Sequence, residues 1–408
     1  MPEFLTLLPP DSAREKLLSG LTPLGLSTVI ETESALGRVT AEDVFAPHPL
    51  PAFPRTTVDG FAVRSRDTYG ASESLPGYLK LIGEVPMGDT PTFEIGPGQC
   101  AIIHTGGMLP AGADAALMLE YTQTLGAEVE ILKAVADGEN LIRVGEDVAE
   151  GQLVIPRGTC LRPAEIGGLM ALGITNIRVV NKVRVGIISS GDEVIPAGST
   201  PRPGQVRDIN AHTLGTLVAQ SGGEPLQYGI IHDDFTALQT AAARALAECD
   251  VLLITAGSSA STRDMTADVI NTLGKPGVLV HGVNTRPGKP TILGICDGKA
   301  VIGLPGNPVS ALVNGYMMVV PLLEKLLGQL PRPRASLRAT LTVNLPSVAG
   351  REDWWPVRLR PEGTGYAAEP VFGKSNLIFS LAAGDGLLKI PPAATGLIAG
   401  TEVEVLLI

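Results

Sequence analysis

The sequence predicts a multidomain α/β protein with a central doubly wound, mostly parallel sheet. After residue 180, apolar runs typical of buried strands alternate with helical stretches of roughly 10–15 residues, as in a parallel sheet covered on both faces. Short apolar runs separated by Gly, Pro and Asp fill residues 56–146, and again the chain from about residue 330 onward. They predict a small β-rich domain and a final all-β domain. With 408 residues, the chain has room for about two to four domains.

The region before residue 56 predicts a short helix and then a domain boundary. Residues 12–15, SARE, have the spacing of a capping box that opens a helix, and a second stretch with apolar periodicity follows around residues 28–44. Residues 46–55 contain four prolines, which neither a helix nor a central strand accommodates. A further helix is predicted at 163–173, with Pro in its first turn and Gly at its end.

The α/β region predicts four loops at one edge of the sheet. Its strands and helices are predicted at 183–189, 210–223, 225–231, 233–249, 250–257, 264–274 and 277–283. TILGIC and KAVIGL, joined by Asp297-Gly298, resemble a hairpin appended to this sheet. Ligands of open α/β sheets bind beyond the carboxyl ends of the strands. One crevice is therefore predicted from residues 190–193, 255–264, 286–290 and 304–308.

Composition excludes several classes of function. A net charge of −11 without long basic runs argues against a nucleic-acid surface. The four cysteines are far apart and have no neighbouring histidine cluster, so we expect reduced thiols and not zinc. The N-terminus has no basic region followed by an apolar core, and no stretch approaches 18 uninterrupted apolar residues. These observations predict a cytoplasmic protein without a membrane span.

Two loops are candidates for binding an anion. In GLPGNPVSAL (303–312), Asn307 can cap a helix whose first residue is Pro308, and the free backbone N–H groups of such a helix start attract anions. In TRPGKP (285–290), Arg286 and Lys289 lie on a proline-stiffened loop without an acidic neighbour, which suits an oxyanion. An ordinary strand-to-helix turn and a solvated basic turn are the alternatives.

Several carboxylates could hold a metal ion. Asp192 and Glu193 follow a strand, where Mg²⁺ bridging phosphate oxygens needs hard oxygen ligands; a turn carboxylate that caps amides is the alternative. Asp264 ends a Ser- and Thr-rich loop and is also a typical helix N-cap. Asp59 precedes Gly60 in what is by default an Asp-Gly turn, and Thr105 precedes two glycines that suit either a phosphate or a tight turn. No Walker loop, dinucleotide fingerprint or nucleophile elbow is present, which leaves metal-assisted chemistry on an anion.

A set of motifs in consistent order covers almost the whole chain. They are TVDGFAVR (57–64), HTGGMLPAGADAALM (104–118), GENLIRVGEDV (138–148), GIISSGDEVIPAG (186–198), RPGKP (286–290), GLPGNPVSA (303–311), GREDWWPVRL (350–359) and GDGLLKIPPAATGLIAGTEVEVLL (384–407). In this combination the chain resembles the molybdopterin molybdenumtransferases, the molybdate-inserting enzymes of molybdenum-cofactor synthesis, which are similar to the E domain of gephyrin.

The resemblance implies an enzyme that takes adenylylated molybdopterin and molybdate, uses Mg²⁺, releases AMP and leaves molybdenum on the dithiolene. It implies catalytic roles for Asp59, Thr105, Asp147, Glu193 and Asp264, with Glu193, Asp264 and Asp59 as metal ligands. The substrate-binding positions that it implies are Ser190, Gly191, Asp192, Gly257, Ser258, Ser259, Arg286, Lys289, Pro305, Gly306, Asn307, Pro308 and Ser310.

The resemblance also implies a domain plan and an assembly. An elongated helical domain is expected at 1–46 and 147–179, an inserted β-rich domain at 47–146, the α/β domain at 180–329 and a β-barrel-like domain at 330–408. A homodimer is expected, with the active site across the interface, so that Asp59 and Thr105 of one subunit face Glu193 of the other. Other proteins of cofactor synthesis are further expected partners.

Three departures from the family pattern keep alternatives open. The usual S-G-G-V-S-x-G is here TAGSSAS (255–261), and Ser261 adds a Cβ where bare backbone is usual. The usual S-A-M-D-G-Y is TTVDGF (56–61), and the first Lys of K-P-G-K-P is Arg286. The alternatives are a non-catalytic relative that binds molybdopterin or molybdate or acts as a scaffold, and an enzyme that prefers tungstate. The retained carboxylates favour the enzyme.

Overall fold

The computed structural model describes residues 7–256 and 260–408, except for the side chains of residues 260–264. Its first region contains helix α1 (Pro10–Ser19) and strands β1 (Ser27–Glu31) and β2 (Val44–Phe45). Helix α1 begins two residues before the predicted capping box, because Pro10 supplies a first helical residue that needs no amide partner. The stretch around 28–44 does not form an α-helix: its β-branched run Thr28-Val29-Ile30 favours strand β1, and a short 3-10 turn at Thr32–Ser34 follows.

Helix α1 packs against a distant part of the chain. Ala13 and Leu17 are fully buried in the core of the α/β region, and not among the strands that follow them. Just before the helix, Leu8 forms a parallel bridge with Val283, and its amide donates to the carbonyl of Gly282. The N-terminal segment is therefore part of the packing of the α/β region.

The β-rich region is built on one six-stranded sheet. The eight strands of the region are β3 (Arg55–Thr56), β4 (Gly60–Val63), β5 (Gly77–Glu84), β6 (Gln99–Ile103), β7 (Ala115–Met118), β8 (Thr122–Leu125), β9 (Glu128–Ile131) and β10 (Leu141–Ile142). The sheet has the order β7-β4-β6-β5-β9-β8, while β3 pairs with β10. Buried Phe61, Leu117 and Ile131 contribute to its core.

The chain then returns to its first region. The returning elements are β11 (Leu153–Ile155), α2 (Pro163–Ala171) and β12 (Asn176–Val180). Strand β11 pairs with β2 and β12 pairs with β1, both antiparallel, so the β-rich region is inserted between paired strands. Short strand pairs, more than helices, build this first region.

The α/β region is a doubly wound sheet, as predicted. Its elements are β13 (Val183–Ser190), β14 (Val194–Ile195), β15 (Val206–Arg207), α3 (Asn210–Gln220), β16 (Gly223–Ile231), α4 (Phe235–Glu248), β17 (Val251–Ala256), α5 (Ala260–Thr272), β18 (Pro276–His281), β19 (Thr285–Arg286), β20 (Ile292–Cys296), β21 (Lys299–Pro305), α6 (Pro308–Asn314) and α7 (Val320–Leu326). The sheet order is β16-β13-β17-β21-β20-β18, and the first four of these strands are parallel. Separate apolar clusters cover its two faces.

Two local predictions in this region were wrong. The predicted hairpin exists, with Asp297 and Gly298 at φ +49° and +83°, but it is not appended to the sheet. Strand β21 lies between β17 and β20, because both hairpin strands are almost entirely apolar and buried. Asp264 is not an N-cap, because α5 begins at Ala260 and so includes residue 264 in its second turn.

Residues Pro308–Leu326 form one helical run of α6, a π turn at Gly315–Val319 and α7. This run of 19 residues is apolar and long enough to cross a membrane by composition alone, but 72% of its most apolar window is buried. Leu322 and Leu323 are fully buried in the α/β core. The run packs as a core helix.

The C-terminal region is a closed barrel of five strands, which confirms the barrel-like prediction. Its elements are β22 (Ser336–Leu341), β23 (Leu345–Pro346), β24 (Glu352–Glu362), β25 (Gly365–Pro370), α8 (Ile378–Ala382), β26 (Gly386–Ile390), β27 (Gly396–Leu397) and β28 (Glu402–Leu407). The barrel order is β24-β25-β22-β28-β26, closed by pairing of β26 with β24. Strand β19 of the α/β region adds to it in parallel with β24.

The four cysteines are unpaired thiols, as expected from their spacing. Burial raises the pKa of Cys100 to about 12 and that of Cys296 to about 11. These thiols therefore stay protonated at neutral pH and serve as small apolar side chains.

Candidate active site

The carboxyl ends of the parallel strands meet at one edge of the α/β sheet, as the sequence predicts. Strands β13, β17 and β21 run parallel and end at Ser190, Ala256 and Pro305. Three of the four predicted loops therefore begin at this edge. The positions Gly257, Ser258 and Ser259 lie outside the described residues, and the same holds for the side chains of Ser261 and Asp264.

A cavity of about 720 Å³ lies between the α/β region and the barrel. It brings together five of the predicted substrate-binding residues, namely Arg286, Lys289, Pro305, Asn307 and Ser310. The barrel side contributes residues to which the sequence analysis gave no role, among them Arg351, Trp354, Trp355, Lys374 and Ser375. Only the signature GREDWWPVRL and the glycine beside Lys374 could have drawn attention to them.

The start of α6 differs in detail from the predicted anion site. Asn307 occupies the N-cap position and Pro308 is the first helical residue, as predicted. The Asn307 side chain does not cap the helix, however, because its Nδ2 donates to Ser375 Oγ at 3.1 Å. The amide of Val309 donates to the carbonyl of Ser375 at 3.0 Å. One amide that the sequence left for an anion is therefore used by the barrel.

The basic loop 286–290 is fixed to α6 by Asn314, which the sequence analysis missed. Asn314 is fully buried, and its Nδ2 donates to the carbonyls of Pro287 at 3.1 Å and Ser310 at 2.8 Å. Gly288 has φ +107°, and a Cβ there would lie 1.6 Å from Asn314 Nδ2, so the loop needs glycine at this point. The sequence signal that could have identified it is an amide residue in an otherwise apolar helical stretch, four residues after Ser310.

The cavity concentrates positive charge in an acidic protein. Four cationic side chains line it: Arg286, Lys289, Arg351 and Lys374. The buried carboxylate of Asp353 holds two of them, with Arg351 in a bidentate contact of 2.6 and 3.0 Å and Arg286 at 3.8 Å. Such a cluster attracts anions against the overall charge of −11.

An acidic edge lies beyond β13 and β16, separate from the lining of this cavity. Ser190 Oγ donates to Asp233 Oδ1 at 2.8 Å. Asp192 Oδ1 accepts from the amide of Asp233 at 3.2 Å and lies 3.0 Å from His232 Nδ1. The Asp233 amide, and then His232, lower the pKa of Asp192 below its usual value. Asp192 is thus an anchored carboxylate, although both it and the neighbouring Glu193 are exposed.

A hydrogen bond connects the chain that follows this acidic edge to the helix turn. Asn210, at the start of α3, donates from Nδ2 to the carbonyl of Gly306 at 2.9 Å. Gly191 begins the excursion that leads through β14 and β15 to α3, and the carbonyl of Glu193 accepts from the amide of Val206 at 2.8 Å. The predicted positions 190–193 and 305–310 therefore belong to one connected edge of the sheet.

The remaining predicted residues lie in other parts of the chain. Asp59 and Thr105 are in the β-rich region, where the Thr105 amide donates to Asp59 Oδ1 at 2.8 Å. Gly60 must be glycine, because a Cβ there would lie 1.9 Å from the carbonyl oxygen of Leu117. Asp147 is exposed after the inserted region, and none of these residues lines the cavity.

The predicted metal site, which needs the Asp264 side chain and a second subunit, stays a prediction. Among residues 7–256 and 260–408, no three His, Cys, Asp or Glu side chains that are described cluster closely enough to hold a metal ion. Asp59 instead has His104 as a neighbour, with Nδ1 3.9 Å from its carboxylate, while His104 Nε2 lies 2.9 Å from Glu84 Oε1. Asp59 and its two neighbours all belong to the β-rich region.

Comparison with protein families gives three matches that together cover most of the chain. Residues 8–173 match the family model described as "MoeA N-terminal region (domain I and II)". Residues 186–325 match "Probable molybdopterin binding domain", and residues 338–408 match "MoeA C-terminal region (domain IV)".

Individual relatives agree along the full length. The molybdopterin molybdenumtransferase of Bacillus subtilis is 31% identical over 100% of this chain and 96% of its own. Molybdopterin molybdenumtransferase 2 of Mycobacterium tuberculosis is 32% identical over 91% of this chain and 92% of its own. A crystal structure of a molybdopterin biosynthesis MoeA protein from Pyrococcus horikoshii superposes with a TM-score of 0.86 at 32% identity, covering 99% of this chain and 100% of that one.

Asn314→Ala is expected to loosen the basic loop. The substitution leaves the carbonyl of Pro287 unpaired, and an unpaired buried group costs about 1–3 kcal/mol, so amide hydrogen exchange in residues 285–291 should speed up about tenfold or more. Asn271→Ala is the matched control, because Asn271 Oδ1 accepts from the Val278 amide in β18, away from the basic loop. Unchanged exchange at 285–291 in the first variant would contradict the assigned role.

His232→Gln is expected to raise the pKa of Asp192 part of the way to its usual value, because the Asp233 amide remains in place. A carboxylate with a lowered pKa in the folded state stabilises it above pH about 4, and this contribution disappears as the pH falls through the folded-state pKa. NMR titration of the Asp192 carboxyl carbon measures the shift directly. His212→Gln, on the exposed side of α3, should leave it unchanged.

Proposed function

This chain belongs to the MoeA family, and we propose that it is a molybdopterin molybdenumtransferase, which inserts molybdate into adenylylated molybdopterin and releases AMP in an Mg²⁺-dependent reaction. The observation that carries the proposal is the cavity between the α/β region and the barrel. Four cationic side chains and the Ser310 hydroxyl line it in an otherwise acidic protein. A tetrahedral dianion needs this combination of charge and hydrogen-bond donors.

The size of the cavity supports a ligand larger than the oxyanion. Its volume of about 720 Å³ falls within the range of roughly 300–1,000 Å³ typical of small-molecule sites. Trp354 and Trp355 give part of it an aromatic wall, against which an organic ring can pack. Molybdate and part of the pterin substrate can therefore occupy the cavity together.

The residues divide into two chemical groups. Arg286, Lys289 and Ser310 bind and orient the molybdate oxygens, and the fixed basic loop keeps these donors in place before the anion arrives. The acidic edge at Asp192 and Glu193 acts on the phosphate that joins the pterin to AMP. The inserted molybdenum is bound by the dithiolene sulfurs of the substrate, so the protein cysteines take no part in the reaction.

The acidic edge fits Mg²⁺ in the way that phosphate-handling enzymes bind it. Such sites use one or two carboxylates and complete the shell with water and substrate phosphates. Exposed Glu193 suits this donor set, whereas Asp192 is engaged by His232 and the Asp233 amide. The bound ion would offset the charge that develops on the departing phosphate. We assign Asp264 to the same ligand set by its resemblance to the family.

A homodimer would complete the site. Asp59 has an exposed carboxylate, oriented by the Thr105 amide, outside the cavity of its own chain. The first region also exposes large apolar side chains, including Leu26, Leu36 and Phe45, which a partner subunit would cover. We therefore propose that Asp59 and Thr105 act on the α/β edge of the partner. A cytoplasmic location and association with other cofactor-synthesis proteins stay predictions.

Release of AMP from adenylylated molybdopterin tests the function directly. Purified full-length protein with Mg²⁺ is expected to release AMP in the presence of molybdate and to activate a cofactor-free molybdoenzyme. Glu193→Gln should abolish release while the fold and dimer persist. Release that depends on tungstate alone would identify a tungstate enzyme, and tight binding without any release would identify a non-catalytic relative.

Mixed dimers test whether the site is shared between subunits. Asp59→Asn and Glu193→Gln are each expected to be inactive, but a dimer with one subunit of each kind has one intact shared site. Co-expression with two affinity tags isolates this mixed dimer, and we expect about half of the wild-type activity per dimer. If both residues act within one chain, every site carries one defect and the mixed dimer stays inactive.

A further inference from the structure

Asp353 is a fully buried carboxylate beneath the cationic cavity. It lies on β24, has no exposed side-chain surface and does not line the cavity itself. Arg351 donates to it from Nε at 2.6 Å and from Nη2 at 3.0 Å, which is the bidentate fork geometry of a strong charge-assisted pair. Arg286 Nη1 lies 3.8 Å from Asp353 Oδ2. One buried group thus contacts two arginines that do line the cavity.

The backbone reinforces this arrangement. In the parallel pairing of β19 with β24, Arg286 is opposite Asp353, so the two residues are held in register by the sheet. The guanidinium carbon of Arg286 also lies 5.4 Å from the centre of the Trp355 ring. The carboxylate and the aromatic face together restrict the orientation of the Arg286 guanidinium, although about half of this side chain is exposed.

Electrostatics alone would not predict a carboxylate here. An anion-binding cavity gains affinity from each cation and loses affinity from each nearby negative charge. Asp353 therefore lowers the positive potential of the cavity, although it is the closest partner of its two arginines. Any gain in anion affinity must therefore come from geometry. Two unrestrained arginines repel each other, and they lose conformational entropy when they converge on a ligand.

We propose that Asp353 is a positioning residue for oxyanion binding: it fixes Arg351 and Arg286 so that their N–H groups converge on a tetrahedral dianion. The inference rests on the proposed function for the identity of the anion. For the effect of this charge on oxyanion affinity, the proposal predicts the opposite of what charge balance alone predicts. Removal of the negative charge should weaken oxyanion binding, although the cavity then carries one more positive charge.

Asp353→Asn tests the sign with little change in volume. Equilibrium dialysis of the full-length protein against molybdate, at fixed ionic strength, should give a dissociation constant about tenfold or more above wild type, the scale on which orienting partners of ligand-binding groups act. The KM for molybdate in the AMP-release assay should rise by the same factor, while kcat at saturating molybdate stays near wild type. A loss of general structure would lower kcat as well.

Glu362→Gln is the matched control, since it removes the same charge from an exposed position on the same strand. Its dissociation constant should match wild type. Asp353→Glu gives a second test that keeps the charge and moves the carboxylate by one methylene. We expect weaker molybdate binding in this variant too, whereas charge balance alone predicts no change.

The outcomes separate this inference from the function itself. Binding to Asp353→Asn that is as tight as wild type or tighter overturns the positioning role and leaves the transferase intact. If the asparagine variant does not fold, wild-type affinity in Asp353→Glu overturns the role instead. A wild-type protein that neither binds molybdate nor releases AMP overturns the proposed function.

Discussion

The pairing of the two-residue strand β19 with β24 is the constraint on which the cavity depends. It makes Thr285 and Arg286, which belong to the α/β region by sequence, part of the barrel sheet. From this fixed start the basic loop runs back to α6, where Asn314 binds its backbone. The first two residues of the loop are therefore held by different regions, Arg286 by the barrel strand and Pro287 by the helix, and its cations line the cavity between these regions.

The barrel also satisfies the polar groups that this junction buries. The Ser375 carbonyl accepts from the Val309 amide, and the Ser375 hydroxyl accepts from the Asn307 side chain. Part of the helix start is therefore capped by the barrel region and not by the helix's own residues. Glu352 accepts from Trp354 Nε1 at 2.7 Å and lies 3.0 Å from Lys389 Nζ, beside the Asp353 cluster. Such mutual neutralisation keeps a charged interface from becoming a large desolvation cost. Lys289 and Lys374 also line the cavity, where their positive charge is available to a bound anion.

The sequence could predict what depends on local pattern and could not predict what depends on contacts between domains. The alternation of strands and helices identifies the doubly wound sheet, and the ends of its strands identify the loops around Asp192 and Pro305, because both follow from short-range periodicity. The loop at Arg286 instead follows a strand that pairs with the barrel, which short-range periodicity does not predict. Arg351 and Ser375 were missed, since their roles exist only once the barrel meets α6. The same contact explains Asn307. Its N-cap position was predicted correctly, but its side chain donates to Ser375 of the barrel region and does not cap the helix. The helix was predicted to begin at Asp264, whereas α5 begins at Ala260. The Ser- and Thr-rich run before Asp264 gave no sign of this earlier start.

The burial of α1 against the α/β core has a consequence for synthesis on the ribosome. Helix α1 ends at Ser19, yet its packing surface includes β18, β20 and the π turn that ends at Val319, so the last of its partners is complete only 300 residues later. At about 5–20 residues per second, that separation corresponds to a wait of roughly 15–60 s. A helix of 10 residues is too short to persist alone in water. The apolar side chains of Ala13 and Leu17 therefore leave the exit tunnel before their packing surface exists, and they stay exposed until the central sheet is complete.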